Sequence, residues 1–131
     1  MNNKIINAAL TLVVSLLLMS CSMRDINGDF DGQWQIQKIE WADGQSQTIG
    51  DQYMCIQQHM VQLTPGGRVS TGVLDYDKDD KVATMTFPYA KDGDLKKWGI
   101  LGTSVTFNIQ KLSREHCVLV SADATITMRK W

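Results

Sequence analysis

Residues 103–112 alternate so strictly that an extended strand is the natural way to present them. Val105, Phe107 and Ile109 fall on one face, and Thr106, Asn108 and Gln110 on the other. Successive strand side chains point to opposite faces, so this segment has one dry side and one wet side. Most of the chain from Gly32 onward behaves in the same way, and no amphipathic helix longer than two turns is evident. Residues 33–41 place Trp34 and Ile36 on one face, then Ile39 and Trp41 on the other. That parity switch near Lys38 predicts a bulge or bend. Residues 53–64 read as β-rich up to a turn at Pro65-Gly66-Gly67, and residues 68–77 return from it. A charged turn at 77–81 leads into a strand over 82–89. Residues 90–97 are polar, with Asp92-Gly93-Asp94 as a turn signal, and residues 98–101 suit a short strand. Residues 117–122 and 124–131 close the chain, hinged at Asp123.

Seven or eight short antiparallel strands with one polar face imply an all-β sandwich or barrel. Closure removes the exposed edge strands that invite aggregation. At 131 residues, 44% hydrophobic, the chain supports one domain with one modest core. A formal net charge of −1 provides no basic footprint for nucleic acid.

The first 20 residues read differently. They hold 13 apolar residues and a single charge, Lys4. The apolar run at 5–18 reaches ~21 Å as a helix, short of a bilayer's roughly 30 Å hydrocarbon core. A cleaved signal segment fits that length better than a permanent span. Leu18-Met19-Ser20-Cys21 resembles the lipobox of bacterial lipoproteins. The resemblance implies a diacylglyceryl thioether on Cys21 and cleavage just before it. Two or more acyl chains, at about 0.8 kcal/mol per buried CH₂, anchor a protein stably where one chain is marginal. Ser22 after the Cys resembles the sorting pattern for the outer membrane, either face of which is open. The expected organisation is therefore a leader at 1–20, a lipidated Cys and polar tether at 21–31, and a folded domain at 32–131.

With Cys21 acylated, Cys55 and Cys117 remain, in an envelope compartment where disulfides persist. A bridge between them is worth roughly 4 kcal/mol in the chain-entropy model. Two buried free thiols are the alternative.

Gly32-Gln33-Trp34, opening the first strand after the tether, resembles the Gly-x-Trp signature of lipocalins. Further markers are Leu63-Thr64-Pro65-Gly66-Gly67 and Trp98-Gly99-Ile100-Leu101-Gly102, which resemble the small lipocalin-like lipoproteins of Bacteroidetes. The resemblance implies an antiparallel, up-and-down, eight-stranded β-barrel. It also implies a Trp packed across the closed end under a basic residue of the last strand, for which Arg129 is the candidate. An Arg on a Trp face contributes ~0.5–2 kcal/mol as a cation–π pair. Such a barrel implies a small apolar ligand, with Trp41, Tyr76, Met85, Phe87, Trp98 and Phe107 as candidates to line its site. Eight strands can equally be filled by their own side chains, leaving an envelope interaction module that meets a protein partner.

Catalytic and metal chemistry finds little footing. The acidic run Asp75-Tyr76-Asp77-Lys78-Asp79-Asp80 opens like a calcium loop, but Asp80 stands where Gly is required and Thr86 where a bidentate Glu is required. It reads as a solvated hairpin turn. His59 and His116 have no second ligand at metal spacing. His116 adjoins Cys117, but strand neighbours face opposite ways, which argues against a catalytic pair. The chain is therefore expected to be non-catalytic and to need no cofactor or metal.

Overall fold

The computed structural model describes residues 26–131; the leader, Cys21 and the first part of the tether lie outside the described residues. Nine strands follow in order: β1 (Gly32–Trp41), β2 (Ser46–Thr48), β3 (Tyr53–Gln57), β4 (Met60–Thr64), β5 (Thr71–Asp77), β6 (Val82–Thr86), β7 (Ser104–Leu112), β8 (His116–Val120) and β9 (Ala124–Lys130). They form one antiparallel sheet in the order β2-β1-β3-β4-β5-β6-β7-β8-β9, and β1 pairs again with β9. That last pairing closes the sheet. β2 lies against residues 38–40 of β1 and β3 against residues 32–35, on the same side. They act as two halves of one interrupted strand, so the closed barrel has eight strands.

The alternation seen in the sequence sets the inside of this barrel. Ala83 and Met85 from β6, Phe107 and Ile109 from β7, Cys117 and Leu119 from β8, and Ala124, Ile126 and Met128 from β9 are all buried. The parity switch in β1 is a bulge: its register with β9 slips between Ile36 and Lys38, opposite Met128 and Thr127. One extra residue there turns Trp34, Ile36 and Ile39 all inward despite their mixed parity.

The structure departs from the expected strands in three places. Residues 53–64 form a hairpin, β3 and β4, because Gln58 takes a left-handed turn conformation (φ 53°) that a glycine or asparagine normally signals. β2 is a short exposed strand with no apolar alternation to mark it. Residues 98–101 are not a strand: a 3₁₀ turn at Lys96–Trp98 ends on Gly99, whose left-handed backbone (φ 88°) breaks any extension. The acidic segment is the turn between β5 and β6, where Asp77 Oδ1 accepts the backbone N–H groups of Asp79 (3.0 Å) and Asp80 (3.1 Å).

The barrel has two distinct ends. The turns after β3, β5 and β7 lie at one, with the 3₁₀ turn Gly28–Phe30 that precedes β1. The connections after β1, β4, β6 and β8 lie at the other, the mouth.

Packing is tight where β5 meets β6. Gly72 faces inward on β5, and a Cβ there would stand 2.7 Å from Phe87 Cδ1 and 2.8 Å from the Thr86 carbonyl oxygen. A ring can swing aside, but a strand carbonyl cannot without moving the ladder. Gly72→Ala is therefore expected to lower stability by about 1–3 kcal/mol in urea denaturation. An unchanged midpoint would show that the wall there has slack.

Candidate functional site

The closed end is built around Trp34. Its ring is fully buried, and Nε1 donates to the Phe30 carbonyl at 2.9 Å. Phe30, itself fully buried, tilts against Tyr76 with ring centroids 5.0 Å apart. Asn27 pins the same turn: its Nδ2 donates to Asp31 Oδ1 and to the Gln58 carbonyl, both at 2.7 Å.

Above the Trp34 ring lies Lys130, its Nζ 4.2 Å from the ring centroid. The ammonium also donates to the Asp29 carbonyl at 2.9 Å and to the Asp31 carbonyl. This corrects the expectation for Arg129. Arg129 is exposed on the outer wall, where its guanidinium donates to Gln35 Oε1 at 3.4 Å. The reason is parity: Lys130 lies in phase with Ile126 and Met128, while Arg129 falls on the opposite face. Burial pulls the Lys130 pKa down, and Asp29 and Asp31 partly restore it. The glycine of Gly32-x-Trp34 now has a physical role. It adopts φ 132°, and a Cβ there would stand 2.8 Å from Lys130 Nζ. A side chain would be strained in the backbone and would also displace the cation.

The two thiols do not meet. Cys55 and Cys117 are both free. Cys117 shares the inward phase of Leu119, whereas Cys55 lies out of phase with the buried Met54 and Ile56. The two sulfurs thus lie on opposite faces of the wall, which overturns the disulfide alternative. Burial pushes the Cys117 thiol up to about 12 and the Cys55 thiol up as well, so both are protonated at neutral pH.

The six candidate lining residues do not surround one cavity. Met85, Phe87 and Phe107 are packed in the core. Tyr76 lies at the closed end, beside a hollow of about 160 Å³ that it shares with Ile109 and Leu112. Trp41 lies at the mouth, beside a hollow of about 190 Å³ shared with Leu101 and Asp123. Trp98 belongs to the connection between β6 and β7, which seals the mouth.

That connection, residues 87–103, is a cap missed by the strand reading. Leu95, Trp98 and Ile100 on it are buried. Its backbone enters the barrel: a Cβ on Gly99 would stand 2.8 Å from Ile126 Cδ1 and 3.5 Å from Ile39 Cγ2. Within the cap, Gly93 N–H donates to the Leu101 carbonyl at 2.9 Å and Trp98 N–H to the Leu95 carbonyl at 3.0 Å. Among the described residues, one side-chain hydrogen bond ties residues 88–102 to the wall, from Trp98 Nε1 to the Thr64 carbonyl at 3.0 Å. Arg68, after β4, adds a guanidinium 3.9 Å from the centroid of the Tyr89 ring. The spacing of Leu95, Trp98 and Ile100 in an otherwise polar segment was the sequence signal for this cap.

The closed end yields a direct comparison. Lys130→Ala removes a cation from a ring face and leaves two carbonyls short of a donor, so it is expected to cost about 1–3 kcal/mol. Arg129→Ala, on the outer wall, is expected to fall within about 0.5 kcal/mol of wild type. Equal losses in chemical denaturation would contradict the assignment of Lys130.

Comparisons with known proteins agree with this architecture. A lipocalin-like protein from Bacteroides uniformis ATCC 8492 superposes with a TM-score of 0.61 at 22% identity, covering 79% of this chain and 100% of its own. An uncharacterized protein from Bacteroides eggerthii DSM 20697 superposes with a TM-score of 0.59 at 15% identity, covering 78% and 99%. At such identities the likeness is one of fold. No curated protein matches the sequence significantly. The lipocalin-like domain family matches residues 16–131, the whole barrel included. With its closed eight-stranded barrel, the chain belongs to this lipocalin-like family, whose scaffold is of the ligand-binding type.

Proposed function

We propose that the protein is a lipid-anchored, non-catalytic binding protein of the bacterial outer membrane, which takes a small apolar molecule at the barrel mouth. The observation that carries this reading is the way the mouth is sealed. The closed end is filled by strand side chains and Phe30, whereas the mouth is covered by Leu95, Trp98 and Ile100 from one connection. An apolar ligand can take their place against Ile39 and Ile126 if the cap moves out. Fully exposing a large apolar side chain costs roughly 1.5–3 kcal/mol, so the cap competes directly with a ligand. Apparent affinity is reduced by the fraction of molecules with the cap displaced. The support for the anchor is the lipobox-like Leu18-Met19-Ser20-Cys21 and the polar tether behind it.

The filled lower barrel favours a second reading, an envelope interaction module with no ligand. Val69, Tyr89 and Leu101 are large apolar side chains left exposed in the connections at the mouth end, where a protein partner could sit.

Native mass spectrometry of the full-length protein separates these readings, with fatty acids as the probe and tryptophan fluorescence in parallel. The binding reading expects a fatty-acid adduct that tightens in Trp98→Ala, because the competing ring is gone. No adduct in either protein would leave the interaction module. The same spectrum is expected to show acyl mass on wild type and none on Cys21→Ala; its absence from wild type would remove the anchor.

A further inference from the structure

We propose that the closed end of the barrel rests on the membrane surface, with Trp131, Met60 and Ile26 at the lipid headgroup level. The inference rests on the anchoring reading above. It goes beyond that reading by specifying which face of the domain meets lipid.

Chain length sets the first constraint. Five peptide steps separate Cys21 from Ile26, the first described residue. At no more than about 3.6 Å each, they span under about 20 Å. Ile26 leads straight into Asn27, which is bonded to Gln58 in the β3–β4 turn, so the tether enters at the closed end. The mouth is about 30 Å further along β1. A tether this short holds the closed end near the bilayer and directs the mouth away from it.

The surface at that end supplies the second constraint. Ile26 (43% exposed), Met60 (57%) and Trp131 (64%) are large apolar side chains left open to solvent. They belong to segments that contact one another. The Lys130 ammonium bonds to the Asp29 and Asp31 carbonyls, and Trp131 N–H donates to the Gln33 carbonyl at 2.8 Å. Trp131 meets Tyr53, at the far end of β3, edge-on at 5.4 Å on the outer wall, which holds the indole at the surface. An indole favours the boundary between headgroups and acyl chains, where its apolar body and polar N–H are both satisfied.

Charge decides the kind of contact. Arg114, Arg129 and Lys130 line a groove of about 890 Å³ with Glu115 at this end. Asp29, Asp31, Asp77, Asp79 and Asp80 offset them, helped on the basic side by Lys78 and Lys81. The balance gives no strong field for anionic lipid, so the contact is aromatic and apolar and is insensitive to salt.

The test uses the full-length acylated protein in vesicles of phosphatidylethanolamine and phosphatidylglycerol, with bromine on the acyl chains as a short-range quencher. Tryptophan emission is expected to fall relative to unbrominated vesicles, equally at low and high salt. The loss should disappear in Trp131→Phe. Acylated protein that floats with the vesicles but is not quenched would overturn the closed-end contact and leave the anchor standing. Quenching that persists in Trp131→Phe would place another tryptophan at the bilayer and overturn the orientation. Protein with no acyl mass that fails to float would remove both the anchor and the contact.

Discussion

The ammonium of Lys130 is held between the Trp34 ring and the carbonyls of Asp29 and Asp31. It comes from the last strand, covers a residue of the first, and bonds to the segment that leads into the first. One side chain therefore joins the first and last strands of the barrel, where β1 and β9 close the sheet. Gly32 is required next to it for both backbone and steric reasons. The cation is acceptable in a half-buried place because its donors are satisfied and its charge faces a ring. The Gly-x-Trp motif is thus one half of a contact whose other half is Lys130.

The opposite end is sealed by other means. Trp34, Phe107, Leu119 and Met128 are packed side chains of strands, and removing them would damage the wall. Leu95, Trp98 and Ile100 occupy the mouth from a connection that is bonded mainly to itself. Elements with few ties to their surroundings open at lower free energy than the ladders beneath them. On the proposed reading, the small domain has a filled base and a mouth whose contents can be exchanged. If the base also rests on the bilayer, the exchangeable end faces the solvent.

Much of this was legible in the residues. Strand alternation, the absence of long amphipathic helices and the parity switch before Ile39 were enough for an antiparallel sandwich or barrel with a bulge in its first strand, and the resemblance carried by Gly32-x-Trp34 chose the closed barrel. Phase alone was also sufficient to choose Lys130 over Arg129, since only Lys130 keeps step with Ile126 and Met128. The same phase separates Cys55 from Cys117. Two features had no signal to read. The β3–β4 turn uses Gln58 where glycine is usual, and β2 carries no apolar residue. The cap looked like a strand because Trp98, Ile100 and Leu101 are apolar and close together; Gly99 in a left-handed conformation converts them to an inserted turn. A side chain's phase can be counted along a strand, but the fold of a long connection depends on what it packs against.

On the proposed reading, residues 88–102 form a separable plug over a fixed barrel. Hydrogen exchange of the full chain, resolved to individual amides, is the sharpest check. The internally bonded amides of Gly93, Trp98 and Ile100 are expected to exchange through a local opening, well before those of Ile36 in β1 and Ile126 in β9. Equal protection of the cap and these two strands, lost together only on global unfolding, would contradict it.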